Sequence, residues 1–307
     1  MGDPDVDGAL GAMYLAACLY YLEDRSQREI AERLQVSRST VSRLLTEARR
    51  TGLVEITVRP LRVPGELAGE VADALGVREV LLAPSERETL AVAGLAGSAL
   101  ARAGLAPGSV LLASWGRTMW QVAQQRLPAT PGVVVVPAVG GSNQPQEYFQ
   151  SNEIARRIAV TMQGTHRSLH APYNPGPTLW AALMEDRETA ETLALWDRTS
   201  LALFGIGAPP RELGDYGPAP VPRHEQLLER AVGDVATRYF DADGCPVHFP
   251  GDDQFLAVSH DQLARVPTKI AAAAGTAKVP SIRGAARAGF VDVLLTDVGT
   301  ARQLVGR

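Results

Sequence analysis

The chain has 307 residues, long enough for two domains or for one large domain with an appendage. Its hydrophobic content of 46% is ample for a packed core rich in Ala, Val and Leu. A net charge of −4 excludes a wholly basic nucleic-acid coat but leaves room for one local basic surface.

Other classes fall away as quickly. The only cysteines, Cys18 and Cys245, make no disulfide framework and predict a reducing, cytoplasmic setting. Residues 1–8 are acidic and Gly-rich, unlike a secretory signal. No run of 18 apolar residues predicts a membrane span, and no fixed-period repeat is visible.

In chain order, LGAMYLAACLYYL over 10–22 predicts an apolar helix. SQREIAERLQ follows, with Ser26 placed as N-cap and Glu29 three residues on, the spacing of a capping box. Ile30, Ala31 and Leu34 share one face. After a tight turn at Gln35–Ser37, Ser37 caps a second helix whose buried face is Val41, Leu44 and Leu45, and Gly52 ends it. Ala31, Val36, Val41 and Leu44 fall where a helix-turn-helix needs its shared core.

The outer face of the second helix carries Arg38, Ser39, Thr40, Ser42, Arg43 and Arg49. Residues 25–50 hold seven arginines against three glutamates, a local excess of positive charge inside an acidic chain. Hydroxyls and arginines at such a helix suit phosphate and base-edge contacts in the major groove of duplex DNA. Gln27 and Ser37 join them as the candidate DNA-contacting set. LVEITVRP over 53–60 alternates and predicts a strand pair or wing.

RPLRVPGE over 59–66 is the predicted boundary, giving a DNA-binding domain over 1–60 and a larger domain over 61–307. Beyond it, helices are expected over 66–77, 87–105, 118–127, 152–163 and 278–289. Strands are expected over 78–84, 108–114, 132–141, 166–172, 201–204, 268–275 and 291–297. Short apolar strands alternating with helices imply an α/β domain, a largely parallel sheet covered on both faces. Ligands of such sheets bind at the carboxyl ends of the strands. Small polar turns stand there: Ser114–Thr118, Gly140–Ser142, Gly205 and Gly207, Ala274–Lys278, and Thr296–Asp297. Asp234 is placed to cap a helix DVATRYF or to face a ligand, and DADG over 241–244 reads as a turn.

YYLEDRSQREIAERLQVSRSTVSRLLTEARRTGLVEI resembles the helix-turn-helix of the SorC family of sugar-responsive bacterial transcriptional regulators. Many such turns carry Gly where this one has Gln35. GSVLLASWGRTMWQVA, VVPAVGG, AVGDVATRYFDADGCPV and TKIAAAAGTAKVPSIRGAARAGFVDVLLTDVGTARQLV resemble that family's effector-binding domain in order and spacing. The resemblance implies a winged helix-turn-helix joined to a domain with the fold of glucosamine-6-phosphate deaminase and ribose-5-phosphate isomerase. It implies a homodimer or homotetramer on an operator in double-stranded DNA, with DNA binding changed by a small phosphorylated sugar.

Residue by residue, the resemblance puts Ser114, Gly116, Arg117, Thr118, Gly140 and Gly141 on the phosphate loops. It puts Gln150 and Asn152 on the polar start of the next helix, Asp234 facing the sugar, and Lys278 on the basic position after the late glycine turn. AAGTAK departs from a common double-glycine form there. Lys278 reads as a solvated lysine, a point charge on phosphate, or an amine able to form a Schiff base. His166 and His170, four apart on a strand-like segment, do not share one metal, and no metal or cofactor is expected. Two function classes remain: a regulator with an effector pocket, or a phosphosugar isomerase or deaminase with Asp234, Asp241 or Asp297 as its base.

Overall fold

Two compact units, Met1–Arg59 and Pro60–Arg307, divide the chain. The computed structural model describes residues 9–55, 65–84, 89–208 and 229–306, so the wing expected over 53–60 lies mostly outside the described residues. Among these residues no helix is long and apolar enough to cross a membrane.

Three helices build the first unit: α1 (Ala9–Tyr21), α2 (Gln27–Leu34) and α3 (Arg38–Arg50). Ser26 caps α2 in the predicted box. Its hydroxyl accepts the Glu29 N–H at 3.3 Å, and the Glu29 carboxylate accepts the Ser26 N–H at 2.8 Å. Gln35 ends α2 in the left-handed region at φ 53°, ψ 41°, so a side chain does here what glycine usually does. Ser37 caps α3 by accepting the Thr40 N–H at 3.1 Å. Ile30, Val41 and Leu45 bury completely or nearly so against Ala16 and Leu19 of α1. Each such large side chain contributes roughly 1.5–3 kcal/mol of transfer free energy. Val36, expected in this core, remains 37% exposed.

The second unit begins with α4 (Gly65–Leu75), β1 (Glu79–Ala83), α5 (Thr89–Ala93), α6 (Ala96–Ala103) and β2 (Val110–Ala113). Then come α7 (Arg117–Val122), β3 (Val134–Pro137), α8 (Ser151–Thr161) and β4 (Thr165–His166). A helical pair, α9 (Pro177–Glu185) and α10 (Arg187–Leu193), leads to β5 (Thr199–Gly205). A hairpin of β6 (Gly233–Val235) and β7 (Arg238–Phe240) follows. The unit closes with α11 (His260–Arg265), β8 (Thr268–Ala272), α12 (Val279–Arg287), β9 (Val293–Asp297) and α13 (Val298–Leu304).

Seven strands form one parallel sheet in the order β1-β9-β8-β5-β2-β3-β4. Every residue of β2 and of β9 is buried, as expected of strands covered on both faces. After β2 the chain steps to β3 and β4 on one side. It then returns to place β5, β8 and β9 on the other. The loops leaving β2 and β5 therefore diverge, and the crevice between them is the topological switch point.

Three expectations need correction. The helix predicted over 87–105 is two helices, α5 and α6, parted at Gly94–Leu95, since glycine is a poor helix interior. The strand predicted over 166–172 is a strand only at His166, with one isolated bridge further on, from Pro172 to Gly141. Leu169 instead satisfies its N–H and C=O on the Asn152 side chain, at 2.9 and 3.0 Å. Asp234 caps no helix, because DVATRYF is the β6–β7 hairpin, turning at Ala236 (φ 50°) and Thr237 (φ 68°). Val235, Tyr239 and Phe240 are buried, so tertiary packing outweighs the local helical pattern.

Candidate functional site

At the switch point lies a cleft of about 330 Å³. Gly116, Arg117 and Thr118 reach it from the turn after β2, Gly205, Ile206 and Gly207 from the end of β5, Asp234 and Ala236 from the hairpin, and Ala274 and Lys278 from the loop after β8. Trp115, Tyr148, Phe149 and Thr89 complete its wall. Trp115 stands edge-on to Phe149, centroids 5.7 Å apart, and to Tyr173 at 5.2 Å, which fixes this aromatic side of the cleft.

The turn after β2 is held from both sides. Gly116 N–H donates to Tyr148 O at 2.8 Å, and Ser114 N–H to Leu203 O at 3.1 Å. The first intrahelical donor of α7 is Trp120 N–H, to Gly116 O at 2.8 Å. The N–H groups of Arg117, Thr118 and Met119 thus have no intrahelical acceptor, as at every helix start. The Arg117 side chain is exposed and that of Thr118 half-buried. This turn offers a small anion hydrogen-bond donors and one fixed positive charge.

Lys278 Nζ donates to Ile206 O at 2.7 Å, which anchors the ammonium at the end of β5. Asp234 is buried and accepts the Thr237 N–H at 3.1 Å. Burial holds its carboxyl above the usual carboxylate range, although the Lys278 ammonium and the Thr237 N–H pull the other way. Gly207 makes this packing feasible. Its N–H donates to Asp234 O at 2.8 Å, and a Cβ there would stand 1.7 Å from the Asp234 carboxylate. Of the three aspartates considered as a base, only Asp234 lines the cleft. Asp241 accepts the N–H groups of its own turn, from Asp243 and Cys245. Asp297 caps α13 and also accepts the Gly275 N–H at 2.8 Å.

The other predicted residues serve the frame of this cleft and do not line it. Ser114 is buried, and its hydroxyl accepts the Gly205 N–H at 3.3 Å, tying β2 to β5. Gly140 and Gly141 donate to Leu256 O and Ala171 O, and a Cβ on Gly140 would lie 2.7 Å from Ala171 O. Gln150 donates to Gln144 O, and Asn152 holds Leu169. Nothing in the sequence marks Tyr148, Phe149 and Thr89 as lining residues. They sit in a single 3-10 turn and at the start of a short α-helix, where no periodicity marks them. Trp115 lies inside the Ser114–Thr118 turn, where an apolar ring gives no sign of a polar site.

In the first unit, α3 separates its chemistry by face. Val41, Leu45 and Ala48 are buried, whereas Arg38, Ser39, Ser42, Arg43 and Arg49 are exposed. Ser37 and Thr40 hold the start of the helix through a hydroxyl contact of 2.8 Å, and Gln27 is half-buried at the start of α2. Arg28 pairs with Glu32 at 3.2 Å and Arg50 with Glu47. Arg38, Arg43 and Arg49 make no ion pair among the described residues, so their charge is available to an external polyanion.

Comparison with known proteins agrees with both halves. Residues 63–306 match the family model described as "Putative sugar-binding domain", and residues 18–51 match that of sigma-70 region 4. The chain is 31% identical over 299 residues to the deoxyribonucleoside regulator of Bacillus subtilis, covering 94% of this chain and 96% of the relative. It is 28% identical to the sorbitol operon regulator of Klebsiella pneumoniae, with the same two coverages. The crystal structure of full-length SorC from Klebsiella pneumoniae superposes with a TM-score of 0.71 at 25% identity, covering 95% of this chain and 98% of that one. A helix-turn-helix with an exposed arginine face, joined to a parallel-sheet domain matching a sugar-binding family, makes this a DNA-binding transcriptional regulator that responds to a sugar effector, and the chain belongs to the SorC family.

Proposed function

We propose that the effector is a small phosphorylated sugar, held in the cleft at the β2–β5 switch point, and that its binding changes the affinity of the chain for an operator. The observation that carries this reading is the convergence of the Gly116–Thr118 turn, Lys278 and Asp234, far apart in sequence, on one cleft. The phosphate sits on the first-turn N–H groups of α7, the Thr118 hydroxyl and Arg117, with Lys278 as a second positive contact. Each charge-assisted hydrogen bond contributes roughly 1.5–3 kcal/mol. Asp234 takes the sugar hydroxyls. Ser114, Gly140, Gly141, Gln150 and Asn152 act through the frame.

Residues 1–60 form the DNA-binding domain and 61–307 the effector-binding and oligomerisation domain. Arg38, Ser39, Ser42 and Arg43 meet base edges and phosphates, with Gln27, Ser37, Thr40 and Arg49 beside them. A homodimer or homotetramer in the cytoplasm presents two such helices to one site. The chain senses its ligand and does not convert it.

A thermal-shift screen of phosphorylated against unphosphorylated sugars tests the pocket. Phosphorylated hits should raise the melting temperature, since a ligand at a hundred times its dissociation constant adds about 2.7 kcal/mol. Arg117→Ala and Thr118→Ala should lose that shift. Hits lacking phosphate and indifferent to both substitutions would remove the phosphate from this turn. Conversion of a hit to product would make the domain an enzyme.

A further inference from the structure

We propose that the groove between β4 and the α9–α10 pair is an interface between two copies of this chain, related by a two-fold axis. This rests on the reading that the chain works as an oligomer, and it names the surface.

The groove has a volume of about 620 Å³. It lies at the end of the sheet, where among the described residues no strand pairs with the outer edge of β4. An open edge of this kind is a template for association unless it is covered or charged. One wall carries the positive charge of Arg167, with His166 and His170 beside it, all exposed. The opposite wall is acidic, with Asp186, Glu188 and Glu191, also exposed.

No ion pair among the described residues crosses the groove. Glu191 pairs along its own helix with Arg187 at 2.8 Å, and Asp186 caps α10 through the Thr189 N–H at 2.7 Å. Arg167 and Glu188 make no ion pair among the described residues. Opposite charges on facing walls, unpaired across the groove, form a self-complementary pattern. A two-fold axis sets the basic wall of each copy against the acidic wall of the other.

Helix α9 supplies the apolar part. Its sequence PTLWAALME is uncharged until Glu185, yet none of its residues is buried. Leu183 and Met184 rest against the core, while Leu179 is 46% exposed and Ala181 and Ala182 are exposed beside it. A helix that is apolar on its inner and outer faces belongs inside a larger assembly.

Light scattering on the full chain tests this with two variants, Arg167→Glu and Glu188→Arg. Each variant alone sets like charges face to face and should show half the parent mass. In an equimolar mixture the two variants pair with each other, so that an acidic side chain again meets a basic one at both contacts. The mixture should return to the parent mass. Variants that keep the parent mass, or a mixture that does not recover it, overturn the proposal. Circular dichroism checks that each variant is folded. If one is not, Leu179→Asp probes the same surface and should halve the mass, and an unchanged mass there overturns the proposal equally. A monomeric parent would sink the oligomer reading itself. The thermal-shift response of the variants to phosphorylated sugars should match the parent, which separates this surface from the cleft.

Discussion

Asp234 holds its proton to higher pH than a solvated aspartate because burial disfavours its charge more than Lys278 and the Thr237 N–H favour it. The folded chain thus binds this proton more tightly than the unfolded chain, whose carboxyl titrates near 3.8. The stabilising contribution is complete below that value and is lost as pH rises through the folded one. Thermal melts between about pH 4 and 8 should show the parent losing stability relative to Asp234→Asn as pH rises. Parallel profiles would mean the carboxyl is solvated. Arg238 is a different kind of buried charge. Its guanidinium donates to four carbonyls, those of Val258, Asp252, Phe255 and Ala257, and shapes the segment behind the hairpin. Arg238→Met should cost about 3 kcal/mol or more in urea unfolding, because several buried carbonyls lose their donor together. A cost below about 1 kcal/mol would show that water replaces it.

Among the elements, α2 and α3 were the most legible in the sequence. Ser26, Glu29 and Ser37 act on N–H groups three residues away, so their effect needs no knowledge of the rest of the fold. Gln35 marks where that local logic is strained. A non-glycine side chain in the left-handed region costs roughly 1–2 kcal/mol, part of which glycine returns as unfolded-state entropy. Gln35→Gly should therefore raise the stability of the first unit by about 0.5–1 kcal/mol, read from its thermal melt. A lower melting temperature would show that Gln35 is not strained. On the outer face of α3, Arg38→Ala and Arg43→Ala should each weaken specific DNA binding by about 1–3 kcal/mol. Unchanged affinity in both would take this helix out of the interface.

The hairpin was the least legible element, since Ala236 and Thr237 turn it with positive φ and neither is a usual residue for that turn. The same gap explains the site. Gly116, Arg117 and Thr118 could be found from one strand-end turn, and Lys278 from another. Tyr148 and Phe149 reach the cleft from a single 3-10 turn that only the tertiary fold brings there.

At the scale of the molecule, the two units carry separable chemistry: an arginine face for a polyanion and a cleft for a small anion. A regulator must couple them, and coupling requires that the ligand bind two conformations unequally. The direct measurement is fluorescence anisotropy of a labelled duplex, enriched by the chain itself from a random-sequence pool and titrated with and without a panel of phosphorylated sugars. The account predicts that at least one phosphorylated sugar changes the dissociation constant by about 5–150-fold. Arg117→Ala should abolish that change while leaving the ligand-free affinity at the parent value. A duplex affinity indifferent to every phosphorylated sugar, or one that Arg117→Ala leaves fully responsive, would contradict it.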